Sequence, residues 1–415
     1  MRVHAEGLVE PGFEEVASVL ERQVARIGGG AAACVYFRGQ AVVDVWAGRR
    51  APDLLWEPQT AAMSFSTTKG VTATALHVLV DRGILDYEDP VAKHWPEFSR
   101  NGKERITVGH VLSHRAGLHN LRSLIDRGDR VLDWDYMVRA LEEARPAYEP
   151  GAYPAYHGLT YGWLVGEIIR RTSGRTFSDF VREEIAGPLG LDGLHVGAPP
   201  DVCARAAVIS RPMPVMRHVE RFRTPARLIR LVSRWAGFPI DLSYIRDALL
   251  PASGADVFWH PEILSAAIPA ANGLFTARAL ARLYATLSEG GTLDGVRLLG
   301  TETVRRATTV QTRQRDRVLL FRPGWRLGYH GVFTTSGGVR GGFGHFGFGG
   351  SGGWADPRRR LAVGFVNNRA GGTPLGDLRV LQVGATAVRC ADRVAAGRRA
   401  STSSANGSNG ASLAS

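Results

Sequence analysis

The chain has 415 residues, 44% hydrophobic and 22% charged, with a formal net charge of +12. Length and balance fit one large or two closely joined globular domains with ample core, and no apolar run reaches the length of a membrane span. The positive charge is spread along the chain as arginine, without the clustering with aromatic residues that a nucleic-acid surface needs, so nucleic-acid binding is not expected.

Cys34, Cys203 and Cys390 are scattered and odd in number, which points to a reducing compartment and no metal site. The first residues lack an apolar signal segment, so a cytoplasmic location is expected, and no cofactor is.

Phe13, Val16, Val19, Leu20 and Val24 recur at helical spacing and predict a helix over 11–26. Strands at 31–37 and 41–47 follow, joined by Arg38-Gly39-Gln40 as a hairpin turn. A helix opens at Ser66, carries Val71, Ala75, Leu76, Leu79 and Val80 at its period, and stops at Gly83. From 84 to 265 the chain reads mostly helical, with helices at 106–116, 133–144, 160–173 and 177–187. Residues 199–268 are rich in proline and arginine and read as an insertion or lid. Within them, 217–235 holds a basic amphipathic stretch that could contact a membrane or cell-wall surface, with a solvated helix face as the plainer meaning.

A helix at 276–288 returns the chain to its α/β part. Strands are expected around 324–332 and 342–348 and at 361–367, then a closing helix over 375–395. The Ser/Ala/Gly/Asn-rich residues 397–415 are expected to be a disordered tail. The pattern is α/β (α+β): a discontinuous domain of 1–83 and 270–396 with an antiparallel sheet flanked by helices, and a mostly helical domain, 84–269, inserted into it.

Only Lys69, Lys93 and Lys103 are lysines among the 51 basic residues, and Lys69 lies three positions after Ser66. An ammonium can give up its proton near neutral pH when its surroundings disfavour charge, and a guanidinium cannot. On a helix, residues i and i+3 share a face, so the Ser66 hydroxyl and the Lys69 amine can meet. Two further segments offer partners: the run from Pro150 to Gly162 around Tyr156, and the run from Phe343 to Trp354 around His345.

Ser66-Thr67-Thr68-Lys69, Val111-Leu112-Ser113-His114-Arg115-Ala116-Gly117-Leu118, Tyr156 and His345-Phe346-Gly347 occur in that order. In this the chain resembles the serine β-lactamase-fold family, which holds class C β-lactamases, D-Ala-D-Ala peptidases and family VIII carboxylesterases. The resemblance covers roughly 10–195 and 270–390. It implies a β-lactamase/transpeptidase-like fold, with Ser66 as nucleophile, Lys69 and Tyr156 sharing the base role, and His345 at the first position of the K-T-G element. It also implies an oxyanion hole from the backbone N–H groups of Ser66 and Phe348.

Two departures shift the expected substrate. Gly158 stands where the family has asparagine, and His345 where it has a cation that would hold a substrate carboxylate. Phe346, Phe348 and Trp354 are expected to line an apolar substrate pocket, with Gly347 and Gly158 beside them. A small-molecule or lipid ester of short to medium chain, cleaved by an esterase or lipase, therefore fits better than a β-lactam or a D-Ala-D-Ala peptide. A silent ligand-binding member would be expected to lack Ser66, Lys69 or Tyr156.

Rival motifs are weaker. Gly349-Gly350-Ser351-Gly352-Gly353 matches the nucleophile elbow of α/β-hydrolases, but a turn and a strand follow it instead of a helix. His110 and His114 have a helical i, i+4 spacing without the glutamate of a zinc protease. Tyr153 competes with Tyr156 by position alone, and His157 is read either as a support for the neighbouring Tyr156 or as a backbone-positioning or solvent-facing residue.

Overall fold

Segments from opposite ends of the chain build one antiparallel sheet. The computed structural model describes residues 3–210, 247–248, 256–371 and 376–408. The first half of the sheet is β1 (Glu6–Val9), β2 (Gly30–Phe37) and β3 (Gln40–Ala51), with helix α1 (Glu14–Ile27) between β1 and β2. The second half is β4 (His330–Thr334), β5 (Gly337–Phe346), β6 (Gly352–Asp356) and β7 (Leu361–Asn367). Strand order is β1-β3-β2-β7-β6-β5-β4, and the two halves join where β7 pairs β2 from Leu361↔Phe37 to Asn367↔Ala31.

The β2–β3 turn places Arg38 at φ 53° and Gly39 at φ 80°, the left-handed pair that matches the twist of a tight hairpin. All of β7 is buried, as a strand covered on both faces must be. On one face α1 and the closing helix α6 (Leu378–Ser408, numbered after the four helices below) pack Val16, Leu20, Val380 and Val383 against Val35 and Val363. On the other face lies a larger core that holds α2 (Thr68–Asp81), α3 (Trp134–Glu143), α4 (Thr160–Ser173) and α5 (Ala277–Ser288). Every α2 residue from Thr68 to Val80 is buried, which a helix reaches only by carrying small and apolar side chains around its whole circumference.

Several boundaries differ from expectation. The helix expected over 106–116 is one short turn, Val108–Leu112: the Thr107 hydroxyl caps its start, and left-handed His114 (φ 59°) turns the chain away. The stretch at 177–187 is a short α-helix, Phe177–Val181, running into a π turn at Arg182–Ala186. The strand expected at 342–348 starts earlier, at Gly337, and stops at Phe346, because Gly349 and Gly350 both turn at φ 84°. The strand placed at 324–332 is found at His330–Thr334.

Of the tail expected at 397–415, the part up to Ser408 continues α6, and 409–415 lie outside the described residues. Ala395, Ala396, Arg398, Arg399 and Ala400 are good helix formers and carry the helix past its docked part. The basic stretch 217–235, and most of the lid-like 199–268, lie outside the described residues. No described helix is long and apolar enough to cross a membrane.

Candidate active site

The chain enters the site through a pinned turn. Ala62–Met63 pairs with Leu274–Phe275, which also pairs with Leu194–His195. Ser64 N donates to Gly273 O at 2.8 Å, and Gly273 N donates to Thr68 Oγ1 at 2.8 Å. Between these anchors Phe65–Thr67 forms a 3-10 turn that opens into α2. Phe65 is forced into the left-handed region at φ 44°, a strained state for an aromatic residue that persists only where its surroundings hold it. The turn leaves Ser66 partly exposed at the head of a buried helix.

Ser66 Oγ sits 3.1 Å from Lys69 Nζ and accepts the Tyr156 hydroxyl proton at 2.8 Å. Lys69 is 0% exposed and donates to two backbone carbonyls, Gly158 O at 2.7 Å and Ala270 O at 2.9 Å. No carboxylate pairs with it among the described residues, and burial drives its pKa well below the ordinary 10.5. Burial likewise pushes the Tyr156 phenol up, so it stays protonated.

Lys103 shows the contrast. It is also 0% exposed, but its Nζ meets three carbonyls, Arg100 O, Glu142 O and Ala144 O, which engage all three protons of an ammonium. Lys69 has only two carbonyls, and its third neighbour is the serine hydroxyl.

His345 is buried on β5, its ring 6.3 Å from that of Tyr156. Its Nδ1 lies 2.8 Å from Phe346 O, which makes Nδ1 the protonated nitrogen, and Nε2 meets no partner among the described residues. Burial, together with His330 and Lys69, holds the ring well below the ordinary 6.5, so it is neutral. It therefore supplies no cation for a carboxylate.

Gly347 presses on the Ser66 turn so closely that a Cβ there would lie 2.2 Å from Ser64 O. That contact brings Phe348 against the turn, its ring 5.3 Å from that of Phe65, edge to face. Ser66 lies within the 3-10 turn Phe65–Thr67, and Phe348 opens the 3-10 turn Phe348–Gly350 that packs on it.

The pocket expected from Phe346 and Trp354 is not there. In the pleat Gly344 pairs Trp354 and Phe346 pairs Gly352, whereas His345 pairs Gly353. Side chains alternate along a strand, so with His345 toward α2 both Phe346 and Trp354 point the other way, into the layer under α1 and α6 with Val380 and Val383. Of the three expected aromatics only Phe348 packs on the Ser66 turn, against Phe65, whose ring also lies 6.0 Å from that of Phe258. Gly158 contributes only its carbonyl, to Lys69.

Trp354→Ala should thus cost about 3–5 kcal/mol of stability, read as a lower urea midpoint, with unchanged relative rates across ester chain lengths. An unchanged midpoint with an altered chain-length profile would return Trp354 to the pocket.

The rival residues have other employment. Tyr153 stacks on Tyr148 at 4.0 Å. His110 Nδ1 accepts from Thr107 N, and His114 Nδ1 accepts from His157 N at 3.2 Å. His157 Nε2 accepts from Leu118 N at 3.1 Å, its backbone-positioning role. The described residues hold no metal-binding cluster, and Ser351 is a buried residue ahead of β6.

Four contributors carry no sequence signal: Phe258, the Ala270 carbonyl, Trp325, which stacks on Tyr156 at 5.7 Å, and the buried Asp316 behind it.

Comparison with known proteins agrees with this geometry. A profile of the family described as Beta-lactamase matches residues 16–387. The chain is 44% identical over 352 residues to Esterase/beta-lactamase LipL of Mycobacterium tuberculosis (strain ATCC 25618 / H37Rv), an alignment covering 83% of this chain and 78% of that one. The solved structure of a family VIII carboxylesterase matches with TM-score 0.81 at 29% identity, over 93% of this chain and 99% of that one. A penicillin-binding protein homolog from Caulobacter crescentus matches with TM-score 0.75 at 34% identity, over 92% and 99%. Profile, sequence and fold agree along most of its length: the chain belongs to the Beta-lactamase family.

Proposed function

We propose that the protein is a serine ester hydrolase that acylates Ser66 and acts on small, uncharged esters of short to medium chain. The observation that carries this reading is the Ser66 hydroxyl held between Lys69 Nζ at 3.1 Å and Tyr156 Oη at 2.8 Å, with the lysine buried and without a carboxylate partner among the described residues. A neutral amine has two N–H groups and one lone pair. The two protons go to Gly158 O and Ala270 O, and the lone pair faces Ser66.

In the first step Ser66 Oγ attacks the ester carbonyl and its proton passes to Lys69. The oxyanion is held by the N–H groups of Ser66 and Phe348. As the carbon–oxygen bond to the alcohol breaks, the alcohol oxygen takes a proton from the Lys69–Tyr156 pair, both members of which reach Ser66 Oγ. Water then enters where the alcohol left, loses a proton to the same pair, and releases the acid and free Ser66. The Lys69–Tyr156 unit serves both directions, so acid and base pKa values belong to the pair. In this reading Ser66, Lys69 and His345 come from the unit 1–83 and 270–396, and Tyr156 comes from the inserted unit 84–269.

The preference for esters rests on neutral His345 and on Gly158, which leave neither a cation for a carboxylate nor an amide for a peptide side chain. The β-lactamase reading keeps a place because the relatives named above include an esterase/β-lactamase and a penicillin-binding protein homolog. Turnover of a p-nitrophenyl ester panel should exceed that of nitrocefin in kcat/KM by more than about tenfold. Mass spectrometry of the protein stopped during turnover should find the acyl group on Ser66. Faster turnover of nitrocefin than of any ester would favour the β-lactamase reading, and an acyl group on another residue would remove Ser66 as nucleophile.

A further inference from the structure

The chemistry above places Tyr156 within 2.8 Å of Ser66 Oγ, yet Tyr156 lies in no helix or strand. Its position therefore has to come from side-chain contacts. Behind it lies Asp316, a carboxylate that is 0% exposed and has no arginine, lysine or histidine within ion-pair distance among the described residues. Burying a charge without a counter-ion is costly unless hydrogen bonds replace its water.

Those hydrogen bonds converge on the tyrosine. Oδ1 accepts from Tyr156 N at 3.1 Å, and from Val318 N and Leu319 N at 2.8 and 3.0 Å. Oδ2 accepts from Trp325 Nε1 at 2.9 Å, and the Trp325 ring lies 3° from parallel with the Tyr156 ring at 5.7 Å. One carboxylate thus grips the tyrosine twice, by its backbone and by the indole its ring rests on. Arg317 N donates to Pro154 O at 3.0 Å and ties the same loop to the same segment two residues before Tyr156.

We propose that Asp316 is the positioning residue of Tyr156, holding its hydroxyl on Ser66 through the backbone N–H and through Trp325. The inference rests on the reading of Ser66, Lys69 and Tyr156 given above. Asparagine has nearly the same shape but cannot substitute. Every contact to both oxygens is an N–H donor, so whichever way the amide is turned its NH2 faces another donor. Burial raises the carboxyl pKa while the four donors pull against it, and only the ionised form satisfies all four.

A kinetic cycle tests this on p-nitrophenyl butyrate, using Asp316→Asn, Tyr156→Phe and the double variant. Asp316→Asn should lower kcat by about 30-fold with KM changed less than about threefold, the mark of a misplaced reacting group and not of lost binding. In the Tyr156→Phe background the same change should cost less than about twofold, because there is no hydroxyl left to misplace. Losses that multiply, or an Asp316→Asn protein with unchanged kcat, would overturn the proposal. If Asp316→Asn does not fold, Trp325→Phe takes its place in the cycle, since it keeps an aromatic ring under Tyr156 and removes the indole donor, and the same two outcomes decide. A Tyr156→Phe protein as active as the parent would instead show that the reading of the site itself is at fault.

Discussion

Lys69→Arg should reduce kcat/KM on p-nitrophenyl esters by about 10⁴-fold, as far as Ser66→Ala does, although the formal charge is conserved. Lys69 is useful as an amine, and its surroundings suit one: full burial, no carboxylate partner among the described residues, and two backbone carbonyls with the Ser66 hydroxyl as third neighbour. Lys103 has a third carbonyl in place of that hydroxyl. Arginine stays protonated throughout the working pH range and offers no lone pair, so Ser66 would face a permanent cation and its proton would have nowhere to go. For the parent, kcat/KM should rise with pH as Lys69 loses its proton, at a pH below the ordinary 10.5, and this limb should vanish in Lys69→Arg. Turnover above about 1% of the parent, in a variant with the parent's melting temperature, would remove Lys69 from the proton path.

The elements that the sequence foretold well are those whose periodicity is set by one buried surface. Helix α1 shows Val16, Val19, Leu20 and Val24 on a single face, and β2 and β3 flank a turn that needs left-handed residues. Ser66, Lys69, Tyr156 and His345 were legible because motif order survives the distance between them, and the structure brings all four together.

The facing of β5 was not legible. Residues 337–346 hold five glycines, Gly337, Gly338, Gly341, Gly342 and Gly344, and both faces of the strand's inner end are covered. No alternation of apolar and polar residues remains there to show which side meets Ser66. Phe346 and Trp354 therefore looked like pocket residues, while the rings that meet at the Ser66 turn, Phe65 and Phe258, sit in a strained turn and in a segment without a motif. Asp316 was invisible for a related reason. Its partners are three backbone N–H groups and an indole, and a backbone partner leaves no trace in residue types. The early end of the 106–116 helix came from His114 adopting φ 59°, a conformation that a histidine's identity does not announce.

The same burial that tunes the site should make the protein sensitive to acid. His77, His114, His119, His157, His330 and His345 are each 0–1% exposed, and desolvation lowers the pKa of every one. His77 and His157 fall to about 3, His119 and His330 to about 4, and His114 and His345 well below 6.5.

In the unfolded chain all six titrate near 6.5, so below that pH the unfolded state binds protons that the folded state refuses. Stability is then lost as pH falls from about 6.5 toward the folded values. Between pH 7 and pH 5 each such histidine costs about 2 kcal/mol. Several such histidines together approach the whole stability of a typical domain, about 5–15 kcal/mol. Asp44 and Asp316, whose carboxyl pKa values are raised by burial, work in the opposite direction but only as they approach protonation themselves.

Acid titration followed by tryptophan fluorescence and near-ultraviolet circular dichroism should therefore show cooperative unfolding with a midpoint between about pH 6 and pH 4.5. Near-neutral conditions should be required for storage as well as for turnover. The burden falls on specific residues: His119 has both ring nitrogens buried, and His119→Gln should move the midpoint to lower pH provided the fold accepts the amide. A parent protein that keeps its fluorescence and ester activity after an hour at pH 4 would show that these imidazoles take up protons without unfolding, through water or movement that the packed core does not provide.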